Sequence, residues 1–357
     1  MEYYNTAVGR NQNLSKDWKE FSLKDINLSE KGVAEIEVDL GDHLYNIFAV
    51  SNYHAGTVKL FIRPEDIILI YLFERIEAMI KVCILQIEGT NCEFETRLAF
   101  ARLGASAEIV HLNQLTGAVQ QRYRRNLADY DLLVIPGGFS AGDYIRAGAI
   151  FAARLRGSLG NEIEEFVDDG KPVLGICNGF QVLLELGLLP GTDDGVRAAL
   201  TTNSSAHFEC RPTLIKHENR GRCIFTRGIE HGSILKMPCA HAEGRFFIAD
   251  ERYVERMEDN DQIVFRYVDP DGNYAPYPWN PNGSIYNIAA ICNPEGNILG
   301  LMPHPERAFY PWLDTEWWRS AGKVRGGRGE GKGEPSYGDG ERIFESIMNH
   351  LQAHVYI

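Results

Sequence analysis

KPVLGICNGFQVLLELGLLPG, residues 171–191, begins as a short apolar run, Pro172 to Ile176, and continues at helical spacing through Phe180, Leu183, Leu184 and Gly187. An apolar strand running straight into an amphipathic helix is the βα unit of a parallel sheet. Cys177 sits at the seam, framed by Gly175 and Gly179 as G-I-C-N-G. Ligand sites of open α/β sheets form at the carboxyl ends of the strands. A helix N-terminus there offers free N–H groups and a favourable dipole, which lower a thiol pKa from about 8.5. Small residues on both sides suit a tight turn that exposes a nucleophile. A packed core cysteine, with glycines that only ease strand–helix contact, accounts equally well for these residues taken alone.

Working outward, the same alternation recurs. IKVCILQI (80–87) reads as a strand, followed by the turn E-G-T-N with Asn91 as a candidate N-cap and Glu93 and Glu95 in a first helical turn. Phe94, Leu98 and Ala101 then share one helical face, Gly104 stops the helix, and AEIVHL (107–112) closes a βαβ unit. YDLLVIPGG (130–138) and KPVLGIC (171–177) are further buried strands, of the kind covered on both faces by helices. Beyond about residue 195 the strands read as antiparallel, with SIYNIAAICNPEGNILGLM (284–302) as a hairpin. The expected fold class is therefore α/β, a mostly parallel sheet with helices on both faces and an antiparallel extension.

Residues 1–78 differ. Period-2 fragments in VAEIEVDL (33–40) and TVKLFIRPEDIILIY (57–71) predict a small β-rich segment of unassigned role. Met79 directly precedes the strand at 80, so 1–78 also reads as an extension upstream of a complete domain, 79–357. Within that domain AGKVRGGRGEGKGEPSYGDG (321–340) is Gly-rich and charged, the composition of a flexible surface insertion. Ile343, Phe344, Ile347 and Leu351 form the stripe of a closing helix.

The chain of 357 residues carries a net charge of −13, which opposes wrapping of nucleic acid or lying on anionic membrane and favours small-molecule or protein partners. The N-terminus lacks the basic and apolar regions of a secretory signal, and IILIYLF (67–73) is too short to span a bilayer, so a cytoplasmic protein is expected. The 7 cysteines contain no C-x-x-C pair that would suggest zinc or a redox dithiol.

Two stretches supply candidate partners for Cys177. In LMPHPERA (301–308) Met302 and His304 each precede a proline and are pushed to extended backbone, which puts His304 and Glu306 on one face. A glutamate there can orient the imidazole to take a proton from sulfur. In VIPGGFSAGDYIRAG (134–148) the N–H groups of Gly137 and Gly138 follow a buried strand, and with the N–H of Asn178 they could form an oxyanion hole. An incidental surface histidine and an ordinary βα turn are the plain alternatives.

Together these pieces resemble the class I (triad) glutamine amidotransferases, flavodoxin-like in architecture. Residues 79–357 are most similar to the glutaminase components of phosphoribosylformylglycinamidine synthases. The resemblance rests on VCILQIEGTNCEFET (82–96), VIPGGFSAGDYIRAGAI (134–150), GICNGFQVLLELGLLPG (175–191), NSSAHFECR (203–211), HAEGRF (241–246), NPNGS (280–284) and GLMPHPERA (300–308), all in order. It implies Cys177 as nucleophile, His304 as general base and acid, Glu306 as its orienting carboxylate, Gly138 and Asn178 as oxyanion donors and Gln181 in the glutamine pocket. It also implies a glutamine-hydrolysing enzyme of purine biosynthesis that passes ammonia to a synthetase subunit. That subunit uses ATP and magnesium to convert formylglycinamide ribonucleotide to formylglycinamidine ribonucleotide, and some of these synthases add a small accessory subunit. No P-loop is visible, so no cofactor is expected in this chain. His241, Glu243 and Arg245 either line the site, contact the synthetase, or form a structural salt-bridge loop. The competing functions are a glutaminase serving another synthetase, a cysteine peptidase of similar architecture, and a non-catalytic partner-binding subunit.

Overall fold

A computed structural model describes residues 80–191, 198–316 and 337–354, with four backbone strands before them. The chain divides into two compact units, Met1–Met79 and Ile80–Ile357. In the first, Lys19–Leu23 (β1) pairs antiparallel with Val58–Ile62 (β4), and Val33–Asp39 (β2) with Leu44–Val50 (β3). The two alternating fragments contain β2 and β4, whereas 63–71 lie outside the described residues.

The second unit is built on one sheet. Its strands are Lys81–Gln86 (β5), Ser106–His111 (β6), Leu132–Ile135 (β7), Val173–Ile176 (β8), Glu209–His217 (β10), Ile234–His241 (β11), Ile263–Val268 (β13), Ile288–Cys292 (β14) and Ile298–Leu301 (β15). Ala198–Thr201 (β9) and Arg245–Ile248 (β12) pair separately. The order across the large sheet is β11-β10-β13-β14-β15-β8-β7-β5-β6. Neighbours from β6 through β15 run parallel, and those from β15 to β11 antiparallel. Every residue of β7, β8, β14 and β15 is buried, which is why these segments are continuously apolar.

Helices Glu93–Arg102 (α1), Ala149–Asp168 (α2), Asn178–Leu186 (α3), Arg252–Asp259 (α4) and Glu341–His354 (α5) complete the unit. From β5 to β6 the chain steps one way across the sheet; from β7 to β8 and on to β15 it steps the other way. Right-handed crossovers therefore put α1 on one face and α2 and α3 on the other. Consistent with this, α2 packs on α3, while α1 meets α5 through Phe100 and Phe344, ring centroids 5.0 Å apart and edge to face. The reversal lies between β5 and β7, so the crevice expected of such sheets opens there, beside the end of β8.

Two expectations about α1 need correction. Cys92, not Asn91, is the α1 N-cap, and it makes no side-chain cap bond. The α1 face of Phe94 and Leu98 is exposed, and Glu93, Thr96, Ala99 and Phe100 are buried instead. The apolar stripe misled because the two polar residues find partners inside: Gln86 Nε2 donates to Glu93 Oε1 at 2.8 Å and Thr96 Oγ1 to Cys92 O at 2.7 Å. Of the Gly-rich segment, 321–336 lie outside the described residues, but 337–340 are pinned, with the N–H groups of Gly338 and Gly340 bonded to Phe309 O and Ala308 O. Asp339 also accepts the N–H of Lys236 at 2.8 Å. Among the described residues no helix is long and apolar enough to cross a membrane.

Candidate active site

The sheet brings residue 177 and residue 304 together. β8 and β15 are parallel neighbours with Ile176 opposite Leu301, and the Cys177 N–H extends the ladder to Leu301 O at 2.8 Å. His304 follows three residues beyond the end of β15, where its own N–H bonds to Pro238 O of β11 at 2.8 Å. Cys177 is the N-cap of α3 with φ +50° and ψ −102°, a conformation that L residues rarely adopt. Such strain persists only where the surroundings enforce it, and it concentrates at functional sites. Here the enforcement comes from close packing: a Cβ on Gly179 would lie 1.9 Å from Ile135 O, and one on Gly175 2.7 Å from the Gly179 backbone. The glycines thus serve the turn and the packing at once.

His304 is 2 % exposed and Cys177 5 %, so the pair sits in a dry, closed setting. His304 has extended backbone, as expected, but Pro305–Ala308 form a 3₁₀ turn with proline at its first position. Proline is tolerated there because the missing N–H would have no helical partner, so it starts the turn. The turn brings Glu306 Oε1 to 2.5 Å from His304 Nδ1. Burial alone would disfavour the imidazolium, but the Glu306 carboxylate and the Cys177 sulfur outweigh it and hold the His304 pKa well above its ordinary value. Nδ1 is engaged, whereas the buried Nε2 has no hydrogen-bond partner among the described residues. Within this site an imidazole with one nitrogen fixed and the other free can carry a proton to and from sulfur.

The two glycine N–H groups separate in role. Thr90 and Gly138 form an isolated antiparallel bridge whose bonds run from Phe139 N to Gly89 O and from Asn91 N to Gly137 O, which spends neither N–H of the Gly-Gly pair. Gly138 has φ +144° and no room for a Cβ, 2.7 Å from Asn91 N. Gly137 is a clearance: its Cβ would lie 2.8 Å from His304 Cε1 and 3.2 Å from Cys92 Sγ. Asn178 is the first residue of α3, a position whose N–H has no partner within the helix.

Gln181 is buried with both ends of its amide in use. Nε2 donates to Glu243 O at 2.6 Å and Oε1 accepts Asn178 Nδ2 at 2.8 Å. It therefore ties α3 to the 242–244 loop. Asn178 Nδ2 also reaches Asp143 Oδ1 at 3.3 Å. Burial pushes the Asp143 carboxyl up to about 6; bonds from Gly148 and Asn178 oppose that, and Glu243 adds to it. Ala141, Gly142 and Asp143 are consecutively left-handed, so the loop after Gly138 is itself strained.

The HAEGRF loop is held by hydrogen bonds, with no ion pair formed by its His, Glu or Arg among the described residues. Asn203 accepts from Gly244 N, lies 3.2 Å from His241 Nδ1 and donates to His241 O; Asn282 Nδ2 donates to Gly244 O at 2.7 Å. The NSSAHFECR and NPNGS stretches are thus the brackets of this loop. Burial drives the His241 pKa down to about 3, so it stays neutral. Glu243 turns inward and accepts Ala147 N at 3.1 Å. Sequence reasoning did not single out Cys92 and Arg307. Arg307 Nη2 donates to Cys92 Sγ at 3.1 Å, directly behind His304; their only signal was membership of GTNCE and HPERA.

The fold is that of a class I glutamine amidotransferase, and the chain belongs to the CobB/CobQ-like glutamine amidotransferase domain family, whose model matches residues 79–351. Among similar proteins is the phosphoribosylformylglycinamidine synthase subunit PurQ of Archaeoglobus fulgidus, 50% identical over 283 residues, 76% of this chain and 97% of that one. The PurQ subunit of Picrophilus torridus is 50% identical over 235 residues, 65% of this chain and 88% of that one. A chain in the structure of PurLQS from Thermotoga maritima superposes with a TM-score of 0.56 at 32% identity, covering 77% of this chain and all of that one.

Proposed function

We propose that this chain is the glutaminase component of a phosphoribosylformylglycinamidine synthase, with Cys177, His304 and Glu306 as its catalytic triad. The observation that carries the reading is the 2.5 Å Nδ1–Oε1 bond of the buried His304–Glu306 pair beside a strained Cys177. Glu306 holds the tautomer in which Nε2 takes the thiol proton, and the raised His304 pKa favours the imidazole's taking it up. Sulfur attacks the side-chain amide carbon of glutamine, and the N–H groups of Gly138 and Asn178 receive the negative charge on oxygen. Collapse breaks the C–N bond, His304 returns its proton to the leaving nitrogen, and ammonia departs from a glutamyl thioester. Water, deprotonated by His304, then releases glutamate and restores the thiol.

In this reading Gln181 and Glu243 shape the wall of the glutamine pocket. Ammonia passes to the synthetase subunit, which makes formylglycinamidine ribonucleotide and holds the ATP and magnesium; an accessory subunit completes the assembly. Phe139, Tyr144, Ile145 and Phe208 are exposed, the first three on the loop after Gly138, and offer apolar surface for the synthetase. The pathway places the enzyme in the cytoplasm. Residues 1–78 are an extension outside the amidotransferase domain of 79–357. Ammonia release from glutamine is expected to be slow for the chain alone and to rise on adding the cognate synthetase. Equal rates with and without it would contradict the assignment to a synthase.

A further inference from the structure

The Nδ1 side of His304 carries more than its carboxylate. Cys92 Sγ lies 3.8 Å from the same nitrogen that bonds Glu306. That sulfur accepts Arg307 Nη2 at 3.1 Å, and its S–H donates to Asn91 Oδ1 at 3.2 Å. Cys92 is fully buried, and burial pushes its thiol pKa up, so it remains a neutral acceptor. Its backbone is fixed as well: the N–H groups of Asn91 and Cys92 both reach Gly137 O at 3.3 Å, and the bare Cα of Gly137 leaves room for the imidazole edge and the sulfur together. No step of the triad chemistry uses this thiol.

We propose that Cys92 is a positioning residue, which anchors the Arg307 guanidinium beside the His304–Glu306 pair so that a fixed positive charge stands against the carboxylate. The inference rests on the triad reading above. A dry histidine facing a carboxylate at 2.5 Å holds its proton tightly, yet a general base works best with a pKa near the working pH. A cation nearby opposes protonation. The other titratable groups around His304 are Cys177 at the head of α3, and Cys239 and His241 on β11. Burial moves Cys239 up to about 12 and His241 down to about 3, leaving both neutral. Glu306 and Glu95 are the carboxylates that act on Arg307.

The test is the pH profile of kcat/KM for ammonia release by the full chain with its synthetase. Arg307→Gln should move the acid limb up by about 0.5–1 pH unit, the direction expected whether the limb reports the thiol or the imidazole. In a Cys92→Ala background the same replacement should move it less than half as far, and Cys92→Ser, which keeps an acceptor, should restore the dependence. An equal shift in both backgrounds, or none in either, overturns the proposal, because a merely structural cysteine would lower the rate without coupling to the limb. A Cys177→Ala chain that still released ammonia would instead sink the triad reading.

Discussion

Cys177→Ala should reduce ammonia release from glutamine by about 10⁶-fold, to the level left by binding and the oxyanion donors alone. The effect is chemical because alanine keeps the packing: the bond that the thiol gives to Ala240 O is long, 3.6 Å, and the turn is enforced by Gly175 and Gly179. Without sulfur there is no thioester, and the amide must be attacked by water unaided. Thermal unfolding of the variant should match that of the parent, which separates loss of chemistry from loss of fold.

The second large effect concerns the proton carrier. His304→Asn should cost about 10⁵–10⁶ in kcat, and Glu306→Gln about 10³–10⁴, because the carboxylate orients the base without itself moving the proton. The order of the two losses matters more than either value. Glu306→Gln leaves an amide at 2.5 Å from Nδ1 in place of a charge, so the preferred tautomer and the raised pKa both go. Steady-state kinetics on the two variants, with the synthetase present, check the order. Equal losses would mean that Glu306 does more than orient.

Much of this was readable from the residues. The run Val173-Leu174-Gly175-Ile176 is buried throughout and leads directly into α3, so both the strand and the Cys177 seam followed from hydrophobic pattern. His304 and Glu306 were readable as a pair because residues two apart in a proline-stiffened segment have few ways to separate, although only His304 is extended and Glu306 lies in a 3₁₀ turn. Contacts made across the fold were not readable. Glu93 is buried because Gln86, at the end of β5, bonds to it across the turn, and no helical periodicity records that. Asn203 and Asn282 look like ordinary polar residues until the fold brings the 241–246 segment between them. Cys92 and Arg307 meet only because the β5–α1 turn lies over Gly137.

The measurement that tests the central claim most directly is the site of covalent capture by a diazoketone analogue of glutamine. The chain, with its synthetase, is treated with the analogue and the modified peptide is identified by mass spectrometry. One adduct on Cys177 is predicted, formed in step with loss of ammonia release and blocked by excess glutamine. Inactivation with the label on another cysteine, such as buried Cys92 or exposed Cys210, and with Cys177 unmodified, would contradict the account.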